Sequence, residues 1–291
     1  MNQKDFIPSV NFHLWEPCNM RCKFCFATFL DVKQSILPKG HLPKEQALEI
    51  VEKIALHGFE KITFAGGEPT LCPWLFELIK KAKTMGLTTM IVTNGSRLSQ
   101  DFLQKNKPFL DWITLSIDSL DENTNLMSGR AISGKRPLNE THYTTLIHKI
   151  KQQGFGLKIN TVVNQTNYQE NMNEFLLNAQ PQRWKVLQVL PINGQNDSKV
   201  TDFLIPQNSF NQFINNHQRV AKTIPLIAES NEDMKGSYVM IDPAGRFFDN
   251  TSNGYKYSQP ILEVGVREAL KFVNLSFDKF LDRVGIYDWV R

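Results

Sequence analysis

The chain lacks several features that would assign it to a common class of protein. Its 291 residues include only four cysteines, no apolar run long enough to cross a bilayer, and no block of five or more Lys and Arg residues. The N-terminal stretch MNQKDFIPSVNFHLW has the pattern of neither a signal peptide nor an amphipathic membrane helix. A formal net charge of +4 without such a block does not indicate nucleic-acid binding, the lack of an apolar or amphipathic segment does not indicate a membrane, and the unpaired cysteines favour a reducing cytoplasm.

Up to about residue 200, apolar strand-like runs alternate with amphipathic helix-like stretches. The predicted strands are residues 9–15, 60–69, 87–95, 111–119, 155–164 and 183–192. The predicted helices are residues 43–58, 73–86, 139–154 and 171–180. Strands joined through helices should be parallel, with right-handed connections. The expected fold class is therefore α/β, a partial (β/α)6 TIM-like barrel with its site at the carboxyl ends of the strands.

The pattern changes in the last part of the chain. Residues 237–249 predict a hairpin that turns at Pro-Ala-Gly, and residues 261–272 and 276–285 have helical periodicity. No linker rich in Pro, Gly or Ser separates this part from the rest. We therefore expect residues 1–200 to form the barrel and residues 201–291 to form a C-terminal extension that closes the active site within the same compact unit.

Three of the four cysteines lie together in the stretch EPCNMRCKFCFATF, as Cys18, Cys22 and Cys25. One interpretation is a small zinc site with His13 or Cys72 as the fourth ligand, but structural zinc sites usually take pairs of ligands from two places in the chain. The other is an iron–sulfur cubane. Three thiolates would leave one of its four irons open to a substrate or a second cofactor, which suits the odd number of clustered thiols.

The spacing Cys-x3-Cys-x2-Cys, with an aromatic residue before the last cysteine and a strand before the first, resembles the signature of the radical S-adenosylmethionine (SAM) enzymes. FAGGEP (64–69), TNG (93–95) and SID (116–118) end predicted strands where that superfamily contacts SAM. The resemblance implies that the three cysteines hold a [4Fe–4S] cluster. It implies SAM contacts from Phe24, Gly66, Gly67, Glu68, Asn94, Ser116 and Arg130.

Longer segments resemble the viperins, antiviral members of the radical-SAM enzymes, from about Ser9 to Trp289. The segments are SVNFHLWEPCNMRCKFCFAT, KITFAGGEP, VTNGS, LSIDSLDE, GLKINTVVN, RWKVLQVLPINGQN, ESNEDMKGSYVMIDPAGRFFDN and ILEVGVREALKF. Two features differ from the animal viperins: the amphipathic N-terminal helix is missing, and the C-terminal tail stops early, at YDWVR. By the segments quoted above, the chain looks like a prokaryotic member of the family.

This resemblance implies an enzyme that converts a ribonucleoside triphosphate (CTP, GTP or UTP) to its 3′-deoxy-3′,4′-didehydro analogue, a chain terminator of RNA synthesis. A one-electron donor such as a flavodoxin or ferredoxin would reduce the cluster, and cleavage of SAM would yield a 5′-deoxyadenosyl radical. That radical would take the hydrogen from C4′ of the ribose. Loss of the 3′-hydroxyl as water, with one electron and one proton, would complete the reaction. We expect the enzyme to act as a monomer.

Polar residues inside apolar strands match substrate-binding positions of the viperins. A triphosphate carries about four negative charges, so it needs several converging cations. Lys61, Lys158 and Lys185 lie in predicted strands, where an unpaired lysine is costly to bury, so the site should supply an anion. Asn160 shares a strand face with Lys158 and could hold the ribose or a phosphate, with a packed strand asparagine as the alternative; Arg183, two residues before Lys185, could add to the positive field. Taken alone, each lysine favours a buried salt bridge or a stem that reaches outward to solvent, whereas the three together favour a triphosphate.

The remaining candidates have a structural alternative beside the functional one. Tyr238 matches a tyrosine near the reacting sugar in viperins and could donate a proton or hydrogen atom late in the reaction; the alternative is a core tyrosine. Arg130 matches an arginine that viperins place near the SAM carboxylate; the alternative is an ordinary surface arginine. Cys72 is interpreted as a buried free thiol and His13 as a packed histidine. We expect four tryptophans to lie in the core or at its rim: Trp15, Trp74, Trp112 and Trp184.

Two other functions are alternatives at this point. One is a different radical-SAM reaction, such as that of a GTP-modifying cyclase, although that family usually carries a second cysteine cluster near its C-terminus, and the last cysteine here is Cys72. The other is a non-enzymatic metal-binding module. Iron analysis would separate the module from the enzymes.

Overall fold

A ten-stranded sheet organises the fold in the computed structural model, which describes residues 6–290. The expectations for residues 1–5 and for Arg291 of YDWVR lie outside these residues. The strands are β1 (Ser9–Trp15), β2 (Lys61–Gly66), β3 (Thr88–Thr93), β4 (Trp112–Ser116), β5 (Ala131–Ile132), β6 (Arg136–Pro137), β7 (Gly156–Val163), β8 (Arg183–Gln188), β9 (Leu226–Glu229), β10 (Val239–Ile241), β11 (Arg246–Asp249) and β12 (Lys256–Pro260). Strands β5 and β6 form a separate hairpin, and the others follow the order β12-β11-β10-β1-β2-β3-β4-β7-β8-β9.

The six strands predicted from the sequence are neighbours in this sheet. They pair in parallel from β1 to β8, with Val10 opposite Ile62 at one end of the series and Asn160 opposite Lys185 at the other. Parallel strands are covered on both faces, which explains their almost continuous burial. The predicted α/β partial barrel is confirmed, and the carboxyl ends of its strands meet at one edge.

Helices connect these strands. They are α1 (Lys44–Leu56), α2 (Leu75–Thr84), α3 (Gln100–Asn106), α4 (Glu122–Met127), α5 (Glu140–Gln152), α6 (Asn173–Ala179), α7 (Asp197–Val200), α8 (Gln207–Asn216), α9 (Gln218–Ala221), α10 (Asn231–Met234), α11 (Ile261–Val264), α12 (Val266–Leu270) and α13 (Phe277–Asp282). Single helical turns occur at Val32–Ile36, Pro69–Leu71 and Thr201–Phe203. Within residues 6–290, every helix is too short or too polar to cross a bilayer.

The four predicted helices correspond to α1, α2, α5 and α6, and their inner faces supply much of the core. In α1, for example, Ile50 and Ile54 are fully buried four residues apart, and each such side chain contributes about 1.5–3 kcal/mol to folding. The sequence analysis missed α3 and α4 because they are only seven and six residues long. Both begin at a capping residue; Ser99 Oγ accepts a hydrogen bond of 3.1 Å from the amide of Phe102 at the start of α3.

Strands from the C-terminal part of the chain flank the barrel on both sides. The predicted hairpin forms as β10 and β11, and β10 pairs in parallel with β1, with Val239 opposite Val10. On the other side, β9, which was not predicted, pairs in parallel with β8. The helix predicted over residues 261–272 is broken into α11 and α12 by Gly265, whose φ of +81° is unsuited to a helix. This arrangement places Glu229 of β9 and Tyr238 just before β10 beside the barrel interior.

Candidate active site

The three clustered cysteines lie on the loop that follows β1, at the carboxyl edge of the sheet. Backbone hydrogen bonds fasten this loop to the segment after α4: the amide of Arg21 donates to the carbonyl of Gly129 at 3.1 Å, and that of Lys23 to the carbonyl of Ser128 at 2.9 Å. A side chain at position 129 would collide with the carbonyl oxygen of Arg21, and the φ of Gly129 is +76°. Glycine is therefore required where these segments meet.

The thiols of Cys18, Cys22 and Cys25 are free and half-buried, and they line the same cavity. Burial raises the pKa of Cys18 to about 11 and that of Cys25 to about 12, so both thiols keep their protons until a metal centre binds them. Among residues 6–290, no three His, Cys, Asp or Glu side chains converge on a single ion position. Thiolates that each bind a different iron of a cluster need not converge on one point, so the donor set fits a [4Fe–4S] cluster better than zinc.

The glycines of FAGGEP let two backbone segments touch beside the cysteine loop. The amide of Gly67 donates to the carbonyl of Trp15 at 2.5 Å. A side chain at Gly66 would collide with the carbonyl oxygen of Trp15, and one at Gly67 with that of Glu16. Both glycines line the cavity, so the backbone of this tight turn faces the space where a ligand could bind. The predicted contact of Gly66 and Gly67 with SAM stays a prediction.

Glu68 does not line the cavity and instead braces the loops that do. Its buried carboxylate accepts hydrogen bonds from the amide and hydroxyl of Thr70, from the hydroxyl of Thr93 at 2.7 Å and from the amide of Asn94 at 2.8 Å. Burial raises the pKa of Glu68, although these donors oppose the shift. The side chain thus fixes the turn after β2 to the end of β3, and the predicted direct contact with SAM stays a prediction.

Two other predicted SAM ligands, Asn94 and Arg130, contact the cysteine loop. The side-chain amide of Asn94 donates a hydrogen bond of 2.9 Å to Asn19 Oδ1, which ties the end of β3 to the cysteine loop. Arg130 donates to the carbonyl of Ser116, forms an ion pair of 3.0 Å with Asp118 and lies 3.9 Å from Cys22 Sγ. Its Nε has no hydrogen-bond partner among residues 6–290 and is buried. An anionic group bound in the cavity would satisfy that donor.

The predicted triphosphate lysines lie inside the barrel, toward the amino ends of their strands. Lys61, Lys158 and Lys185 are 5–7% exposed, so none of them reaches outward to solvent. Burial and the neighbouring cations lower the pKa of Lys61 and of Lys158 well below the usual value and lower that of Lys185 to about 8. Three lysines that are this costly to charge indicate a site built for an anion that is bound from outside the chain.

The alternative of a buried salt bridge applies to one of these lysines only. Lys185 pairs with the carboxylate of Glu229, which is fully buried. Lys61 and Lys158 have no carboxylate partner among residues 6–290; Lys61 donates to the hydroxyl of Tyr287 at 3.2 Å, and Lys158 lies 5.5 Å from the centre of the Tyr287 ring. An aromatic ring offsets a charge only partly, so these two lysines retain capacity for a phosphate.

Arg283, from the end of α13, completes the basic group, and the sequence analysis missed it. Its guanidinium stacks 3.7 Å from the ring centre of Tyr238 and donates to the carbonyl of Ser237 at 2.8 Å. The side chain lines the cavity. The predicted ligand Arg183 behaves differently: it does not line the cavity, and it donates to the carbonyl of Val284 in the C-terminal segment. Arg183 therefore contributes charge and holds that segment in place.

Tyr238 lies between the basic group and a carboxylate that the sequence analysis also missed. Lys185 donates to the Tyr238 hydroxyl, which in turn donates to Glu229. Burial raises the pKa of Tyr238 well above its usual value, so the phenol keeps its proton at neutral pH. Burial would also raise the pKa of Glu229, but Lys185 and Arg283 outweigh it and lower the pKa. A protonated phenol beside a carboxylate is an arrangement that can donate a proton.

A cavity of about 300 Å³ connects the cysteine loop with the basic group, and fourteen of the sixteen predicted residues line it. These are Cys18, Cys22, Phe24, Cys25, Lys61, Gly66, Gly67, Asn94, Ser116, Arg130, Lys158, Asn160, Lys185 and Tyr238. Asn160 has a buried Oδ1 without a partner among residues 6–290, which a ligand hydroxyl could satisfy. Since the lining comes from the inner face of most barrel strands, the cavity is the barrel interior itself.

The residues interpreted as structural behave as expected. Cys72 is a buried free thiol that does not line the cavity. His13 packs edge-on against Phe29 and Phe248, and burial lowers its pKa to about 4, so the ring is neutral. Trp184 is fully buried and donates to the hydroxyl of Thr161 at 2.9 Å. The other three lie in the core or at its rim: Trp15, Trp74 and Trp112.

Comparison with known proteins identifies the family. The model of the Radical SAM superfamily matches residues 15–177. S-adenosylmethionine-dependent nucleotide dehydratases of Lacinutrix mariniflava and Flammeovirga pacifica are 63% and 58% identical over 97% and 98% of this chain. The chain spans 59% of the length of the first relative and 97% of the second. The nucleotide dehydratase RSAD2 of Siniperca chuatsi is 35% identical over 97% of this chain and 79% of its own length.

Solved structures agree on the fold. The SAM-bound anSMEcpe superposes with a TM-score of 0.69 at 14% identity, over 92% of this chain and 80% of that protein. Streptococcus suis SuiB bound to SAM superposes with a TM-score of 0.64 at 15% identity, over 84% of this chain and 60% of that protein. The family match covers the cysteine loop, and the relatives cover almost the whole chain. The chain therefore belongs to the S-adenosylmethionine-dependent nucleotide dehydratases, the viperins, a branch of the radical SAM superfamily that uses a [4Fe–4S] cluster and SAM.

Proposed function

We propose that the protein removes water from a ribonucleoside triphosphate to form the 3′-deoxy-3′,4′-didehydro analogue, which terminates RNA synthesis and thereby opposes viruses. The observation that carries the proposal is the division of the cavity into two ends. Three thiols lie at one end. At the other lie four basic side chains, Lys61, Lys158, Lys185 and Arg283, of which only Lys185 and Arg283 pair with a carboxylate, Glu229, among residues 6–290. This excess of positive charge matches a polyphosphate rather than a neutral or singly charged substrate.

The residues at the cysteine end of the cavity would hold the cofactors. Cys18, Cys22 and Cys25 would hold the cluster, and the backbone of Gly66 and Gly67, with Arg130, would hold SAM. When bound, the cluster and SAM supply a radical that removes a hydrogen atom from the substrate. The chain's own contribution is to hold the ribose within reach of that radical and to keep water out of a cavity that lies inside the barrel.

The substrate would lie with its phosphates on the lysines and its ribose toward the cysteine loop. Lys61 and Lys158 lack a carboxylate partner in residues 6–290, so they are the cations best placed to bind phosphate oxygens. Asn160, on the strand between Ser116 and Lys185, has a free acceptor for a ribose hydroxyl. Tyr238 carries its proton and is placed to deliver it when the product is completed.

The C-terminal part of the chain would close this site. Arg283 and Tyr287 both come from residues 201–291 and reach the basic group, and Tyr238 and Glu229 come from the same part. We further propose that the protein acts as a monomer in the cytoplasm, and that a flavodoxin or ferredoxin supplies its electrons. The basic interior is consistent with a nucleotide as the partner.

The test uses anaerobically reconstituted protein with SAM, dithionite and each of CTP, GTP, UTP and ATP. Formation of 5′-deoxyadenosine and of a nucleotide lighter by one water is followed by liquid chromatography and mass spectrometry. We expect at least one triphosphate to stimulate 5′-deoxyadenosine and to lose water, and its monophosphate to do neither. If no triphosphate does so, the proposal is wrong. A new product formed from GTP without loss of water would instead indicate a cyclase.

A further inference from the structure

The surface around the cysteine loop carries exposed cations from three separate segments. Arg21 and Lys23 belong to the loop itself, Arg97 follows β3, and Lys135 and Arg136 belong to the β5–β6 hairpin. All five side chains are exposed. None of them forms an ion pair with another residue in the range 6–290. Together they place five cations without an ion-pair partner among the described residues at this end of the barrel, where the acids Asp101, Glu122 and Glu140 also lie, in the first turns of α3, α4 and α5.

Hydrogen bonds hold these segments against the cysteine loop. The side chain of Asn19 donates to Ser96 Oγ at 2.9 Å, one residue before Arg97. The carbonyl of Asn19 accepts from the amide of Ser133 at 2.8 Å, in the turn of the hairpin. Asn19 lies between Cys18 and Met20, so the patch surrounds the loop that carries the thiols. We define the five cations, with Leu126 and Met127, as the loop rim.

Leu126 and Met127 add an apolar centre to the loop rim. They end α4, directly before the residues that bind the backbone of Arg21 and Lys23, and Met127 is 54% exposed. The acids of this helix are at its far end. Asp121 caps the amide of Thr124, and the helix rise puts this end about 8 Å from Met127. A small apolar centre within a ring of unpaired cations is typical of a surface that binds an acidic protein transiently.

We propose that the loop rim is the docking surface for a small acidic electron carrier that reduces the cluster. This inference rests on the proposed function, because only a protein that uses a cluster here needs an electron at this position. Electron transfer weakens steeply with distance, so the carrier must bind close to the half-buried thiols, and the loop rim is the exposed surface of the loop that carries them. Its charge would steer an acidic carrier and release it quickly after each electron.

The experiment compares two reductants on reconstituted enzyme with SAM and nucleotide. The variant R97E/K135E reverses two cations of the loop rim that make no contact in residues 6–290 beyond their own segments. The matched control, K107E/K222E, makes the same change in net charge at two exposed lysines. Lys107 follows α3 and Lys222 follows α9. Because these helices end just before the next strand begins, both lysines lie at the opposite end of the barrel from the cysteine loop. Formation of 5′-deoxyadenosine is measured with dithionite and with flavodoxin plus its NADPH-dependent reductase.

With dithionite, we expect both variants to match the original protein. With flavodoxin, R97E/K135E should lose about tenfold or more of the rate, and the control should keep it. Titration calorimetry should show the same weakening of flavodoxin binding to R97E/K135E, and salt should weaken the binding of the original protein. Met127→Glu should act in the same direction as R97E/K135E.

Several results would overturn the inference. Equal loss of the flavodoxin-driven rate in both double variants would mean that overall charge, not the loop rim, governs docking. An unchanged flavodoxin affinity in R97E/K135E would place the docking surface elsewhere, and tighter binding of an RNA duplex than of flavodoxin would assign the cations to nucleic acid. Failure of the proposed function is distinguishable, because it would abolish the nucleotide product with dithionite as well, whereas the flavodoxin titration would still test the loop rim.

Discussion

The two ends of the cavity are built in opposite ways. At the cysteine end, thiols, glycine backbone and Glu68 come from short motifs, and hydrogen bonds between neighbouring loops satisfy most of the polar groups. At the basic end, side chains from β2, β7, β8, β9 and the C-terminal segment meet across the barrel. Most of their charge is uncompensated within residues 6–290.

This contrast shows where each end obtains its stability. Apart from Arg130 Nε, the polar groups described above for the cysteine end are satisfied by hydrogen bonds from backbone and side chains of residues 6–290, so this end presents a nearly finished shape. At the basic end, burial and then the neighbouring cations lower the pKa of Lys61, Lys158 and Lys185, so keeping these amines charged opposes folding. A bound polyanion would relieve that repulsion, and we therefore expect nucleotide to stabilise the fold more than SAM does.

The most severe test of the comparison is Cys22→Ala. It should abolish cluster binding and reduce formation of 5′-deoxyadenosine to background, because two thiolates do not hold the cubane. Nucleotide binding at the other end should persist, with an affinity close to that of the original protein. Iron analysis and titration calorimetry with CTP measure the two effects. Cys72→Ala is the matched control, since that thiol lies outside the cavity and its loss should leave the iron content unchanged.

A second prediction concerns the carboxylate of the basic end. Glu229→Gln leaves Lys185 and Arg283 without their buried counter-charge and should lower the free energy of unfolding by about 3 kcal/mol. Saturating CTP should recover a large part of this loss, because its phosphates replace the missing charge. Urea denaturation with and without CTP measures both effects.

The control for that substitution is Glu174→Gln, in which the lost partner is Arg219 and both side chains are largely exposed. Its effect on unfolding should be much smaller, and CTP should not alter it. An equal loss of stability in the two variants would show that Glu229 has no special part in the charge balance of the site.

Lys158→Met should weaken CTP binding by about 10- to 100-fold, since a charged hydrogen bond contributes about 1.5–3 kcal/mol. Binding of SAM should be unchanged, because Lys158 lies at the far end of the cavity from the cysteine loop. Calorimetric titration with each ligand separates the two. Lys256→Met, at an exposed strand lysine, should leave both affinities unchanged. Equal weakening of both ligands would mean that the two ends are not separate sites.

The smallest effect should come from pH. The pKa of Lys185 is about 8 without ligand, and only the protonated amine attracts phosphate. Affinity for CTP should therefore fall as the pH rises from 7 to 9, by up to about tenfold on account of Lys185, which takes up a proton on binding in the upper part of that range. Lys61 and Lys158, whose pKa is also lowered, should add their own proton uptake. Calorimetry in buffers of different ionisation enthalpy measures the uptake. In Lys185→Arg the proton uptake from this position should disappear, because arginine does not titrate there.

The sequence predicted the cysteine end of the cavity better than the basic end. Cys18, Gly66 and Asn94 were found because each lies in a short motif at the end of a strand, where spacing along the chain reports position in space. Glu229 and Arg283 were missed, since one lies on an unpredicted strand of four residues and the other at the end of a short helix. Arg183 was predicted to contact substrate, but its neighbours in the C-terminal segment take its hydrogen bonds.

The sequence by itself determined the order of strands and helices and the cysteine loop, because hydrophobic periodicity and motif spacing are local properties. Resemblance over almost the whole chain then identified the family. Only the tertiary structure decided which lysine is paired and which is unpaired, where the proton of Tyr238 points, and which cations border the cysteine loop. These features arise from residues far apart in the chain that the sheet brings together, and their electrostatics depends on burial that the chain acquires only on folding.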